Sequence, residues 1–226
     1  MKDYLRLVWT IAHKDLVIEL RTRERLSAMG AFAVLVGILF NFAIDTTQIR
    51  PQAIAAGLIW MTILFGGLLG LGRTFQMEQK DGALAGILQS PIPLDALYMG
   101  KVTANFILLS IVVVFVFMVF GLFFGLRFMG NWVTLAGVVA LGVIGFVALT
   151  TLFSAIAARS TMGESLLPVL VFPLVVPVII YGATATDRLF AGRPVVEVSG
   201  NLRMLAAFAL LFIVAGAWLF PYVIEE

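Results

Sequence analysis

The sequence predicts an all-α polytopic membrane protein with six transmembrane helices. Two observations carry this. Of 226 residues, 62% are apolar and only 12% are charged, against about 45–50% and roughly 25% in soluble domains. A water-soluble fold of this length lacks the interior to hide so much apolar side chain. The 28 charges (15 Lys/Arg plus 13 Asp/Glu) are also confined to clusters. Ten lie in residues 1–25, two at Asp45 and Arg50, six from Arg73 to Lys101 and one at Arg127. Two more are Arg159 and Glu164, five run from Asp187 to Arg203, and Glu225 and Glu226 end the chain. The six apolar intervals between them are long enough to cross a bilayer, where a helix satisfies its own backbone.

Residues 1–25 are expected to form a cytoplasmic interfacial helix ahead of the six-span remainder, 26–226. At about 100° per residue, Lys2, Asp3, Arg6, Thr10, His13, Lys14 and Arg21 share one polar stripe. Leu5, Val8, Trp9, Ala12 and Leu16 lie off it, the pattern of a helix resting on a membrane surface. Asp15 and Glu19 break that pattern by falling on the apolar side, where they meet a protein partner or pair locally, as Glu19 and Arg23 do at i,i+4. The ten charges before the first apolar run do not resemble a cleaved signal peptide, so the first span is expected to be retained.

Spans are expected near 26–44, 52–72, 103–126, 133–157, 166–186 and 204–224. Lys and Arg near their ends set the orientation. Ten lie on the side that holds both termini and five on the other, which places both termini in the cytoplasm. Between spans two and three, TFQMEQKDGALAGILQ (74–89) has helical spacing, with Met77, Leu84 and Leu88 on one narrow stripe. Ser90-Pro91-Ile92-Pro93 stops it, and LDALYMGK leads into span three. A short amphipathic helix ended by a proline turn is a docking element, with Glu78 and Asp81 on its polar rim, or else a second interfacial helix lying on lipid. Span five carries Pro168, Pro173 and Pro177, each of which removes a backbone hydrogen bond. Gly66 with Gly70, and Gly121 with Gly125, are small-residue pairs suited to close helix packing, within the chain or against another copy.

The available chemistry is narrow. With these boundaries the spans hold no Asp, Glu, Lys, Arg or His, whereas ion-coupled transporters place such groups inside the bundle. One His and no Cys leave intramembrane proteolysis, thiol catalysis and iron–sulfur ligation without their ligands. His13, on the polar stripe, reads as a solvated side chain. A Gly-x-x-x-x-Gly-Lys-Ser/Thr nucleotide loop is missing, so any energy must come through a partner. The net charge of +2 gives no reason to expect nucleic acid.

The stretch AGLIWMTILFGGLLGLGRTFQMEQKDGALAGILQSPIPLDALYMGKV resembles the CcmB family, the membrane component of the cytochrome c maturation haem exporter and a branch of the type-2 ABC exporter permeases. The matching marks are Gly57-Leu58-Ile59-Trp60, Arg73 and Phe75, and Asp81-Gly82-Ala83-Leu84. Ser90-Pro91, Pro93-Leu94 and Lys101 follow. LLPVLVFPLVVPVIIYGATA (166–185) is similar to the family's proline-rich fifth span. The chain departs from the family at Gly72 and Ala85, positions that often hold acids there.

The resemblance implies a non-enzymatic permease in the bacterial inner membrane that pairs with a separate ABC ATPase and exports or releases haem. ATP would act only through that partner. A haem-handling membrane subunit, a second copy of this chain and membrane lipid are the further partners implied. Residues 74–91 would form the coupling element, with Met77, Glu78, Asp81, Gly82, Leu84, Leu88 and Pro91 its contact residues. Haem would be a handled substrate, held by no ligand set of this chain. The residues alone leave open a type-2 permease for lipid, polysaccharide or drug, or a non-transporting scaffold for assembly factors.

Overall fold

The computed structural model describes residues 2–44, 52–75, 78, 86, 92–126, 131–158 and 163–225. Among the described residues the long elements are seven helices. These are α1 (Lys2–Thr22), α2 (Glu24–Ala43), α3 (Gln52–Leu71), α4 (Leu94–Phe124), α5 (Trp132–Ala158), α6 (Gly163–Phe190) and α7 (Ser199–Glu225). Six of them, α2 to α7, are long and apolar enough to cross a membrane. The fold class is therefore that of a polytopic helical membrane protein.

Helix α1 has three sides rather than two. Arg6, Thr10, His13, Lys14 and Arg21 are exposed, as the polar stripe requires. The apolar remainder divides. Leu5, Trp9 and Leu20 stay 61%, 55% and 57% exposed, while Ala12, Asp15 and Glu19 are buried. The buried side faces α4. There Ile11 sits so close to Gly100 that a β-carbon on that glycine would come within 2.7 Å of it.

Arg23 separates α1 from α2 with φ 54, ψ 16, a left-handed conformation uncommon for a residue with a β-carbon. This breaks the chain into the separate helices α1 and α2. Arg23 contributes no side-chain cap. Glu19 serves instead, its Oε1 accepting the Leu26 backbone N–H at 2.9 Å. A carboxylate at a helix N-terminus satisfies an orphan donor and complements the helix dipole.

Helix α4 extends beyond the expected span three. It begins at Leu94, directly after Pro93, whose carbonyl accepts from Ala96 and Leu97 at 3.0 and 3.2 Å. The helix thus runs unbroken through LDALYMGK, and Asp95 and Lys101 lie within it. The expected span 103–126 holds no ionisable group, and Lys101, only 2% exposed, is buried on the turn of α4 just before it. The remaining helices start or end at local signals. Gly125, at φ 57, closes α4, and Asn131 Oδ1 caps α5 by accepting from Val133 and Thr134 at 3.0 and 3.2 Å. The three prolines of α6 are accommodated in one continuous helix.

Helices α3 and α5 are the most enclosed spans, and α2 and α7 the most open. Trp60 of α3 fills a seat between Gly142 of α5 and Gly182 of α6. Its Nε1–H donates to Thr186 Oγ1 at 2.9 Å. Tyr98 of α4 packs on Gly216 of α7 and donates to the Ala148 carbonyl at 2.9 Å. Gly66 and Gly70 receive α2: Met29 side-chain atoms lie 2.6 Å from where a Gly70 β-carbon would be. That pair is used within the chain and is not a free surface for a second copy. Gly121 instead lines an apolar groove of about 500 Å³ between α4 and α5.

Candidate functional site

A junction of buried charges forms where α1, α2, the segment after α3 and the start of α4 meet. Lys101 is its centre. Its Nζ lies 2.9 Å from Asp15 Oδ2 of α1 and is hydrogen-bonded to Glu78 Oε1. It also reaches the Thr74 carbonyl at 3.4 Å and lies 5.2 Å from the centre of the Phe75 ring. Lys14 closes the group from the outside, 2.9 Å from Glu78 Oε1 and 3.1 Å from Asp15 Oδ1. One turn along α1, Arg25 Nε pairs with Glu19 Oε2 at 2.7 Å. Arg25 Nη1 donates to Asn105 Oδ1 at 3.4 Å. Asn105 in turn donates to Thr74 Oγ1 and Thr151 Oγ1, both at 3.0 Å, and Ser154 donates to the Gly72 carbonyl at 3.1 Å.

Three carboxylates (Asp15, Glu19, Glu78) therefore meet three cations (Lys14, Arg25, Lys101), and the junction is neutral. Asp15, Glu19, Glu78, Lys101 and Asn105 are at most 9% exposed. Charges so enclosed persist only when paired and hydrogen-bonded, and no buried side-chain polar atom among the described residues lacks a partner. Burial works against ionisation of Glu78, but Lys101 and then Lys14 outweigh it and hold the carboxyl below its usual value of 4.5. Burial likewise works to lower Lys14, and Asp15 with Glu78 overcome it and raise the ammonium above 10.5. Glu78 and Lys14 are thus both kept charged across the neutral range.

Among the described residues no group of three His, Cys, Asp or Glu is placed to hold a metal ion. The junction offers no activated nucleophile. What it can do is mechanical. Residues 74, 75 and 78, at the near end of the expected docking segment, are tied to α1 and α4 by contacts that span 64 residues (Lys14 to Glu78) and 23 residues (Glu78 to Lys101).

Of the expected docking residues, Met77, Asp81, Gly82, Leu84, Leu88 and Pro91 lie outside the described residues. Glu78 is described, and it is not on an open rim: Lys101 draws it into the junction. Asp15 and Glu19, flagged by their place on the apolar side of α1, do meet protein, but the protein is this chain. Glu19 pairs with Arg25 rather than Arg23, because Arg23 has left the helix. Sequence pattern does not reveal the centrality of Lys101 and Asn105. The one local signal for Lys101 is a lone lysine followed directly by an uncharged apolar run.

The model of the family described as CcmB protein matches residues 6–225. The chain belongs to the CcmB family. It is 29% identical over 195 residues to heme exporter protein B of Pseudomonas aeruginosa, covering 84% of this chain and 83% of that one. The protein of the same name from Bradyrhizobium diazoefficiens is 26% identical over 210 residues, 91% of each chain. That of Paracoccus denitrificans is 30% identical over 183 residues, 79% of this chain and 82% of the relative. The CcmB match includes every residue of the junction, from Lys14 to Ser154.

Proposed function

We propose that this chain is the membrane-spanning permease subunit of an ATP-driven complex that exports or releases haem for cytochrome c maturation. The relatives named heme exporter protein B, aligned over most of their length, support the haem assignment. The chain has no nucleotide loop of its own, so ATP hydrolysis falls to an ABC ATPase subunit, and this chain is not the enzyme. A haem-handling membrane subunit and a second copy of the chain complete the assembly. Both termini face the cytoplasm of a bacterial inner membrane. In a chain without native cysteine, single-cysteine labelling checks this: Thr47→Cys reacts from the outer side only.

The observation that carries the mechanism is the burial of Glu78 against Lys101. Residues 74–91 dock on the ATPase, with Met77, Leu84 and Leu88 as the buried stripe, Asp81 on its rim, Gly82 at closest approach and Pro91 ending the helix. When nucleotide binding moves that segment, Glu78 moves with it. Lys101 and Asp15 then transmit the displacement to α4 and α1, because separating buried opposite charges in a low-dielectric site is costly.

The test is co-purification of the ATPase together with cytochrome c maturation in cells. Leu84→Asp places an unpaired charge in the docking face and costs about 2 kcal/mol or more, roughly a 30-fold loss of association. Gly82→Val impairs coupling and Gly82→Ala does so less. Wild-type ATPase retention and maturation in Leu84→Asp would overturn the reading.

A further inference from the structure

A cavity of about 360 Å³ whose lining does not include Lys101 opens between α2, α3 and α6. Phe32, Phe65, Leu69, Pro168 and Phe172 wall it, and Arg73 stands at its mouth. The Phe65 and Phe172 rings meet edge to face at 5.4 Å. The walls are open to the side, with Phe65 and Leu69 38% and 52% exposed. The guanidinium is also accessible. Its ion pair among the described residues is with Glu24 at 3.5 Å, between side chains 56% and 72% exposed, a geometry that contributes little. One arm of the fork is engaged, and a guanidinium has further N–H donors for an oxyanion.

We propose that this groove binds an anionic phospholipid, one acyl chain against the phenylalanines and its phosphate on Arg73. A slot on the membrane-facing surface, apolar along its length with a single cation at one end, has the polarity of such a lipid. Basic pockets between transmembrane helices select anionic head groups in this way. A haem-like macrocycle fits the residues less well. The lining holds no His, Met, Cys or Tyr to serve as an axial ligand for iron, whereas a flexible chain requires none. The site uses no residue of the docking segment 74–91, so its failure would leave the permease reading untouched.

The test is native mass spectrometry of the delipidated full chain in detergent, titrated with phosphatidylglycerol and with phosphatidylcholine of the same chains. The wild type favours phosphatidylglycerol by about fivefold, the contribution of one cation near an anionic head group. Arg73→Lys keeps that preference and Arg73→Gln abolishes it. Leu69→Trp, which fills the slot from its exposed edge, weakens both lipids alike. Equal binding of the two lipids, an undiminished preference in Arg73→Gln, or no effect of Leu69→Trp would each overturn the proposal. So would displacement of phosphatidylglycerol by inorganic phosphate, which would mark a head-group site without a chain. Saturable displacement by iron protoporphyrin would assign the groove to a macrocycle instead.

Discussion

The junction at Lys101 and the seat of Trp60 are both joints between helices, yet they are held by opposite means. Lys101 joins α1, α4 and the segment after α3 through charges, each of which depends on another. Trp60 joins α3, α5 and α6 through shape: two glycines leave room for the indole, and one hydrogen bond fixes its orientation. Trp60 lies eleven positions before Leu71, the last residue of α3, so about 16 Å of helix separates it from the segment that reaches Lys101. A packing joint weakens in proportion to the volume removed. A charge joint fails as a unit, because losing one member leaves the others buried and unpaired. The first suits a fixed scaffold and the second suits a part that must move together.

Several substitutions sharpen this contrast. The largest effect is expected from Lys101→Met, which leaves Asp15 and Glu78 without their shared buried cation. It lowers stability by about 3–5 kcal/mol, read as a drop in the thermal midpoint in detergent. Adding Asp15→Asn and Glu78→Gln to that variant returns part of the loss, because the acids no longer lie buried and charged. Equal melting of the single and triple variants would show that the charges are not coupled. At the other joint, Trp60→Phe removes the donor to Thr186 and a little volume, costing about 1–3 kcal/mol. No change of charge elsewhere repairs it.

A smaller effect follows from pH. Glu78 has a depressed folded value, so its stabilisation is complete above 4.5 and is lost as pH falls through that lower value. Lys14 has a raised one, so its share is complete below 10.5 and is lost as pH rises through the folded value. The difference in melting temperature between wild type and Glu78→Gln should therefore be flat near neutrality and shrink in acid. A difference unaffected by acid would remove Glu78 from the junction.

The two joints also differ in how far they can be read from sequence. The spans, the polar stripe of α1 and the acids on its apolar side follow from hydropathy and helical period, which are local signals. Hydropathy places the start of α4 nine residues late, because charges such as Asp95 and Lys101 ordinarily mark the exterior. Lys101 can lie inside only because Asp15, 86 positions earlier in the chain, and Glu78 neutralise it, and nothing local announces such a pairing. Arg25 replaces Arg23 as the partner of Glu19 through a left-handed turn at Arg23, a conformation that an arginine does not advertise. The seat of Trp60 is less legible still. Gly142 and Gly182 become meaningful only when three helices converge on the indole.

In the proposed mechanism, motion of the docking segment reaches α1 and α4 through the junction. Asp15→Asn tests it most directly, since Asp15 lies on α1, outside the segment 74–91. The variant keeps Lys101 and Lys14 paired with Glu78 and removes only the Asp15 carboxylate that ties Lys101 to α1. ATPase co-purification and cytochrome c maturation are measured on equally accumulated protein. The account predicts wild-type ATPase association with maturation reduced roughly fivefold or more, the scale of a lost coupling between sites. Wild-type maturation, or a loss of maturation that merely follows a loss of the ATPase, would contradict it.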